Sequence, residues 1–156
     1  MVIKGTISFE KCQSLISLGK LKKIEGSLDI SDCKNLKHLG KLEIVTGELW
    51  CESCFELTSL NNLKESLSIN AWNCKNLKDL GNLTKIQLLG SFNYCKNLTS
   101  LGNLKYVGQN LYLKDCINLK ELPKGLKVEG TIFIEGSGIT EEYLEKYHPD
   151  IYFRKI

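Results

Sequence analysis

Gly26-Ser27-Leu28-Asp29-Ile30-Ser31-Asp32-Cys33-Lys34-Asn35-Leu36-Lys37-His38-Leu39-Gly40-Lys41-Leu42 decides the fold of this chain. Its first half alternates: Leu28 and Ile30 are apolar, while Ser27, Asp29 and Ser31 are polar. That is the period of two of a strand with one buried face. After Cys33 the apolar residues fall at every third position, Leu36, Leu39 and Leu42. A strand followed by a three-residue period suits a short parallel strand and a compact, partly 3₁₀-like return arc. Val45 then leads to Gly47, where the same frame begins again.

The frame recurs along the whole chain. Cys12, Cys33, Cys54, Cys74, Cys95 and Cys116 are separated by 21, 21, 20, 21 and 21 residues. A fixed period of roughly 20–29 residues marks a solenoid, whose units are too small to bury a face alone and stack on their neighbours. Ile7 and Phe9, Leu49 and Cys51, Ile69 and Ala71, Leu111 and Leu113, and Ile132 and Ile134 repeat the inward strand pair. Gly26, Gly47, Gly108 and Gly130 mark one corner, and Gly19, Gly40, Gly81 and Gly102 mark a turn in the return arc. Little room remains for a helix on that side.

Two units depart from the frame. Leu63-Lys64-Glu65-Ser66-Leu67 is one residue short and has no glycine. In the next unit Gly90 replaces a strand leucine, with Leu88 and Phe92 as expected compensation in volume and a bulge or flattening as the expected local effect. Ser137 stands where a seventh cysteine of the ladder would be. Beyond it, Thr140 is placed to N-cap a helix with acids in its first turn and Pro149 after its end. Asp150 to Arg154 is expected to add an extended segment over the open core. The N-terminal edge has only Met1 to Lys4 as cover, so it is guarded by Lys4 and Lys11 or used for pairing, including with a second copy.

At 156 residues the chain fits one domain. A net charge of +3 with 25% charged residues does not by itself argue for nucleic acid. No run approaches the ~18 apolar residues of a membrane helix, and the first residues carry no apolar leader, which makes a cytoplasmic address the expectation.

The string Ile24-x-Gly26-x-Leu28-x-Ile30-x-x-Cys33-x-x-Leu36 resembles the L-x-x-L-x-L-x-x-N/C-x-L pattern of leucine-rich repeats. It is similar to their cysteine-containing subclass and, in length, to the short bacterial repeats. The run from Leu101 through Val107 to Leu113 also looks like the L domains of receptor ectodomains. The resemblance covers roughly residues 3–139 and recurs about seven times. It implies an α/β fold by that family's convention, mostly β: a right-handed parallel-strand solenoid of about seven ~21-residue coils with a C-terminal capping helix. Residues 1–139 form the solenoid in this reading. Residues 140–156 form the cap of the same domain, a helix at about 140–147 and an extended tail. A long convex helix and a substantial N-terminal cap, usual among such proteins, are missing from the pattern. Leucine-rich repeats mostly recognise other proteins, which makes protein binding the expected function.

The cysteines read as packing. Stacked strands place equivalent residues ~4.8 Å apart with parallel Cβ vectors, wider than the ~3.8 Å preferred between Cβ atoms of a disulfide. Cys51-x-x-Cys54 has no second CxxC or histidine pair to complete a zinc site. His38 and His148 are expected to be solvated. No nucleophile elbow, P-loop or HExxH motif occurs. No cofactor, metal or catalytic site is therefore expected.

Counting back from each cysteine by six, four, two and one gives the outward strand face. Both tryptophans of the chain, Trp50 and Trp72, fall on it, with Tyr94, Tyr112 and Phe133. Asp29, Asp32, Glu48 and Glu52 supply acidic charge, and Asn70 and Asn93 supply amides. Exposed Trp and Tyr anchor binding hot spots, against the alternative of aromatic pairing that only stiffens a sheet. The lysines collect elsewhere, with Lys34, Lys75, Lys96, Lys37, Lys78 and Lys120 on the return arc. The reading is a non-enzymatic module that binds a basic protein or peptide, as an inhibitor, adaptor or effector in a bacterial or phage setting. The alternative is a nucleic-acid or anion-binding module that uses the lysine rows. Asn35, Asn76, Asn97 and Asn118 read as a structural amide ladder.

Overall fold

The computed structural model describes residues 1–155, so the last residue of the expected cap, Ile156, lies outside the described residues. The strands are β1 (Val2–Lys4), β2 (Ile7–Ser8), β3 (Lys23–Glu25), β4 (Leu28–Asp29), β5 (Ile44–Trp50), β6 (Glu65–Asn70), β7 (Lys85–Ile86), β8 (Gly90–Ser91), β9 (Tyr106–Val107), β10 (Leu111–Tyr112), β11 (Lys127–Val128) and β12 (Thr131–Phe133). Helix α1 (Glu141–Tyr147) and strand β13 (Tyr152–Arg154) follow. All strand pairs are parallel, and the chain winds into a β-solenoid of about seven turns.

Each coil contributes two short strands where the sequence suggests one. One ladder runs β1-β3-β5-β6-β7-β9-β11, and the other β2-β4-β5-β6-β8-β10-β12-β13. In the third and fourth coils the two merge, because β5 and β6 run straight through the corner. The first ladder follows from Ile24, Val45, Ile86, Val107 and Val128. These β-branched residues sit twelve positions after the cysteines and are all buried.

The inward row Ile7, Leu28, Leu49, Ile69, Gly90, Leu111, Ile132 and Phe153 is in register from coil to coil. From Leu28 to Ile132 it is fully buried, with Ile7 and Phe153 half-covered at the two ends. The return arc contains no helix of either kind. Its three-residue period comes instead from successive tight turns. The amide of Leu36 donates to Cys33 O at 3.0 Å and that of Leu42 to Leu39 O at 3.2 Å, and the same bonds recur in later coils. Arc glycines are needed where these turns stack. A Cβ on Gly40 would lie 2.5 Å from Gly19 O, and one on Gly81 2.4 Å from Asn61 O. Both have left-handed φ, +62° and +58°.

The short junction and the odd glycine resolve differently from each other. β5 and β6 slip in register between Val45 and Glu48, so Thr46-Gly47 forms the bulge and Leu63–Leu67 simply lacks the extra residue. Ser66 takes the inward place of Val45. Its buried hydroxyl lies 3.0 Å from Gly47 O and 2.9 Å from Ser68 O. Gly90 keeps register with Leu111 on one side. Against β6 the offset grows from 20 residues at Ser66 and Ile86 to 21 at Ile69 and Gly90, so Gln87-Leu88-Leu89 carries one residue more than Leu67-Ser68 and bulges as expected. The missing volume is taken by Ile86 and Phe92, whose atoms would lie 2.8 and 3.2 Å from a Cβ there. Leu88 stays half-exposed and does not compensate.

The C-terminus closes the solenoid. Thr140 Oγ1 accepts from Tyr143 N at 3.1 Å, Glu141 and Glu142 occupy the first turn, and Leu144 is buried. β13 then pairs with β12 and extends the ladder by one strand.

Candidate functional site

Every inner strand ends in the same turn, and this turn shapes the outward face. The residue before each cysteine has left-handed φ: Lys11, Asp32, Ser53, Asn73, Tyr94 and Asp115, at +53° to +63°. Its amide donates to the next coil, as Asp32 N does to Glu52 O at 2.8 Å and Tyr94 N to Lys114 O at 2.7 Å. Side chains four positions before the cysteine form one row: Ser8, Asp29, Trp50, Asn70, Ser91, Tyr112 and Phe133. Those two positions before it include Glu52, Trp72 and Asn93.

Several of the expected site residues hold the turn itself. Asp29 Oδ1 accepts from Ser31 N at 2.9 Å, and Asn70 Oδ1 from Trp72 N at 3.3 Å. Asn93 Oδ1 accepts from Lys114 N at 2.8 Å across the coils. The Asn70 amide also donates to the Glu52 carboxylate and fixes its position.

The aromatic residues fall into separate groups rather than one cluster. Trp72 is 40% exposed and meets Tyr94 edge-on, with centroids 5.6 Å apart. Tyr112 and Phe133 stack at 4.7 Å with an interplanar angle of 3°. Asn110 donates to the Tyr112 hydroxyl at 3.1 Å. Trp50 stands apart, between Asp29 on one neighbouring strand and Asn70 on the other. It forms one wall of a notch of about 110 Å³, lined also by Glu48, Ser68, Asn70 and Leu89.

Comparison with protein-family models, with curated proteins and with solved structures gives no match.

The charges on this face divide in two. Lys114 pairs with Glu135 at 2.7 Å, and Lys11 pairs with Glu10. Both lysines are held above the usual ammonium range, chiefly by those carboxylates. Among the described residues Asp29, Asp32, Glu48 and Glu52 make no ion pair. Of these four acids Asp29 and Glu48 lie beside Trp50, while Asp29 and Asp32 add to the field on Lys11.

The cysteine row turns out to be a row of donors as well as of packing groups. Cys33 Sγ donates to Phe9 O at 3.0 Å, Cys54 to Ile30 O at 3.1 Å and Cys74 to Cys51 O at 2.9 Å. Cys95 and Cys116 repeat this to Ala71 O and Phe92 O at 3.1 and 3.0 Å. All seven cysteines are free. Burial pushes the Cys33 thiol up to about 11 and the Cys116 thiol up to about 12. Among the described residues no group of three or more His, Cys, Asp and Glu side chains could hold a metal ion.

Polar side chains of the return arc also serve its turns. Ser17, His38, Ser59, Asp79 and Ser100 each accept the amide two residues on, at 2.7 to 3.3 Å. His38 is exposed and bonded to Ser17 at 3.0 Å. The asparagine ladder holds in part, with Asn35 and Asn118 donating to main-chain carbonyls of the preceding coil at 2.8 and 2.7 Å. Lys75 lies over the Phe55 ring at 4.9 Å.

His148 is buried, 8% exposed, contrary to the solvated place expected of it. The Tyr143 hydroxyl lies 3.3 Å from its Nε2 and accepts from Leu122 N at 3.0 Å. Burial holds the imidazole below the usual histidine range, against an opposing hydrogen bond to the Leu122 backbone. Leu101, Glu121, Leu122, Tyr143, Tyr147 and His148 help line an open cleft of about 800 Å³ beside α1. Its walls come from arc and cap together, so no local motif announces it. Among the described residues no helix is long and apolar enough to cross a membrane.

Proposed function

We propose that this chain is a non-enzymatic recognition module of leucine-rich-repeat type that binds a basic protein or peptide on its outward strand face. The observation that carries the reading is the coincidence, on one face, of Trp50 and Trp72 with four acids that make no ion pair among the described residues. A solvated sheet needs neither feature. Large aromatic side chains supply contact area with little entropy loss, and unpaired acids steer a basic partner into register. Set within a cell, such a module acts as an inhibitor, adaptor or effector.

The test is capture of partner from cell extract by three forms of the chain. Wild type and a Lys75→Ala/Lys78→Ala/Lys96→Ala variant should retain the same partner, and Trp50→Ala/Trp72→Ala should lose it. Capture that survives the tryptophan changes and disappears with the lysines would transfer binding to the return arc and end this reading.

A further inference from the structure

In the notch beside Trp50 an aromatic ring, the Glu48 carboxylate and the Ser68 hydroxyl converge on the outward face. A water molecule takes up about 30 Å³ in the liquid, and small-molecule sites run to ~300–1,000 Å³. At about 110 Å³ the notch is scaled to the end of one side chain. Ser68 lines it, is only 8% exposed, and its hydroxyl makes no hydrogen bond among the described residues. No buried side-chain N or O lacks a partner among the described residues, so this unbonded hydroxyl opens to solvent in the notch and is free to meet a partner's polar atom. Glu48 stands at the same notch, Glu52 is held by Asn70, and Asp29 lies on the strand beside Trp50.

We propose that the notch takes a single arginine side chain of the partner, its guanidinium stacked on the Trp50 indole and donating to the Glu48 carboxylate and the Ser68 hydroxyl. This rests on the recognition reading above and names the anchor of that partner. An aliphatic anchor would leave Ser68 and Glu48 desolvated without bonds. A carboxylate or phosphate would meet Glu48 and Asp29. Arginine brings five donors, no acceptor and a planar face suited to an indole.

The probe is N-acetyl-arginine amide, titrated into the full isotope-labelled chain and followed through its amide and indole N–H signals. N-acetyl-citrulline amide, neutral and of the same shape, is the control. Saturable shifts should appear at the Trp50 indole and at Ser68, Asn70 and Leu89, leaving the Trp72 indole unmoved. Citrulline should bind at least about fivefold more weakly, as loss of a charge-assisted bond requires. Glu48→Gln and Ser68→Ala should each weaken the arginine response while leaving the rest of the spectrum that of the folded chain. Absence of saturable shifts at Trp50 and Leu89, or an equal response to citrulline, overturns the assignment. If arginine fails while Trp72→Ala/Tyr94→Ala still abolishes partner capture, the face binds without the notch and only this inference falls. If capture survives every change on the face, the recognition reading falls and this inference with it.

Discussion

Cys95 explains why cysteine, rather than leucine or alanine, follows six of the inner strands. Its amide donates to Phe92 O at 3.2 Å within the coil, and its thiol reaches back to Ala71 O at 3.1 Å in the coil before. A small apolar side chain that carries a donor fills the space and binds the second lone pair of a buried carbonyl. Cys95→Val, which keeps the apolar character but removes the donor, should cost about 1 kcal/mol in urea unfolding. Cys95→Ala should cost about 2 kcal/mol, because a void is added. Ionisation supplies a second check. Free thiols titrate at 9.0, whereas Cys33 is raised to about 11 by burial. The folded state thus keeps protons that the unfolded chain has lost, so this contribution is complete below pH 9.0 and fades as pH rises through about 11. Urea midpoints measured across that interval should fall, and less so in Cys33→Ala. The period of the cysteines was legible in the sequence. Their donor role was not, because the accepting carbonyl lies 24 residues away on a neighbouring coil.

Among the elements, β8 and α1 carry the clearest tests. Gly90 and Phe92 exchange volume, so Gly90→Ala alone should destabilise by about 1–3 kcal/mol through overpacking. Phe92→Leu alone should do so by about 1–3 kcal/mol through a void. The double variant should be more stable than the sum of the two predicts, and a double-mutant cycle in denaturant measures that coupling. A sum without coupling would separate the two sites. For α1, Thr140→Ala should cost about 1 kcal/mol as a lost N-cap. His148 adds a pH dependence: its imidazole stays neutral in the fold below the 6.5 at which the unfolded chain takes up a proton. Stability should therefore drop as pH falls through 6.5, and His148→Gln should flatten that drop. The helix, its cap and the following strand could be read from Thr140, the two glutamates and Pro149. The burial of His148 could not, since Tyr143 and Leu122 reach it only once the cap has folded onto the last arc. The first ladder of strands was equally hidden, because one β-branched residue per coil is too short a signal to register as alternation.

A solenoid is stabilised coil by coil, and its ends are weaker than its middle. Ile7, Phe9, Cys12 and Leu15 are only half-buried, whereas Leu49, Cys51, Cys54 and Leu57 in the same places two coils on are fully covered. Amide exchange should accordingly be fastest in the first coil and slowest in the third and fourth, where β5 and β6 are continuous. Uniform exchange along the chain would show instead a single cooperative unit. The outward face was legible as a set of positions, since a count back from each cysteine reaches Trp50, Trp72 and Tyr112. Which of those residues meet was not legible: Trp72 finds Tyr94, Tyr112 finds Phe133, and Trp50 faces the notch. The spacing of neighbours across coils depends on rotamers, which a repeat does not specify. One consequence follows from where the two tryptophans of the chain stand. Indole emission reports on the outward face of the third and fourth coils and on nothing in the core. The molecule thus carries its own optical probe of that surface: quenching or a change of colour registers an occupant there, while loss of the buried leucine stack must be watched by other means.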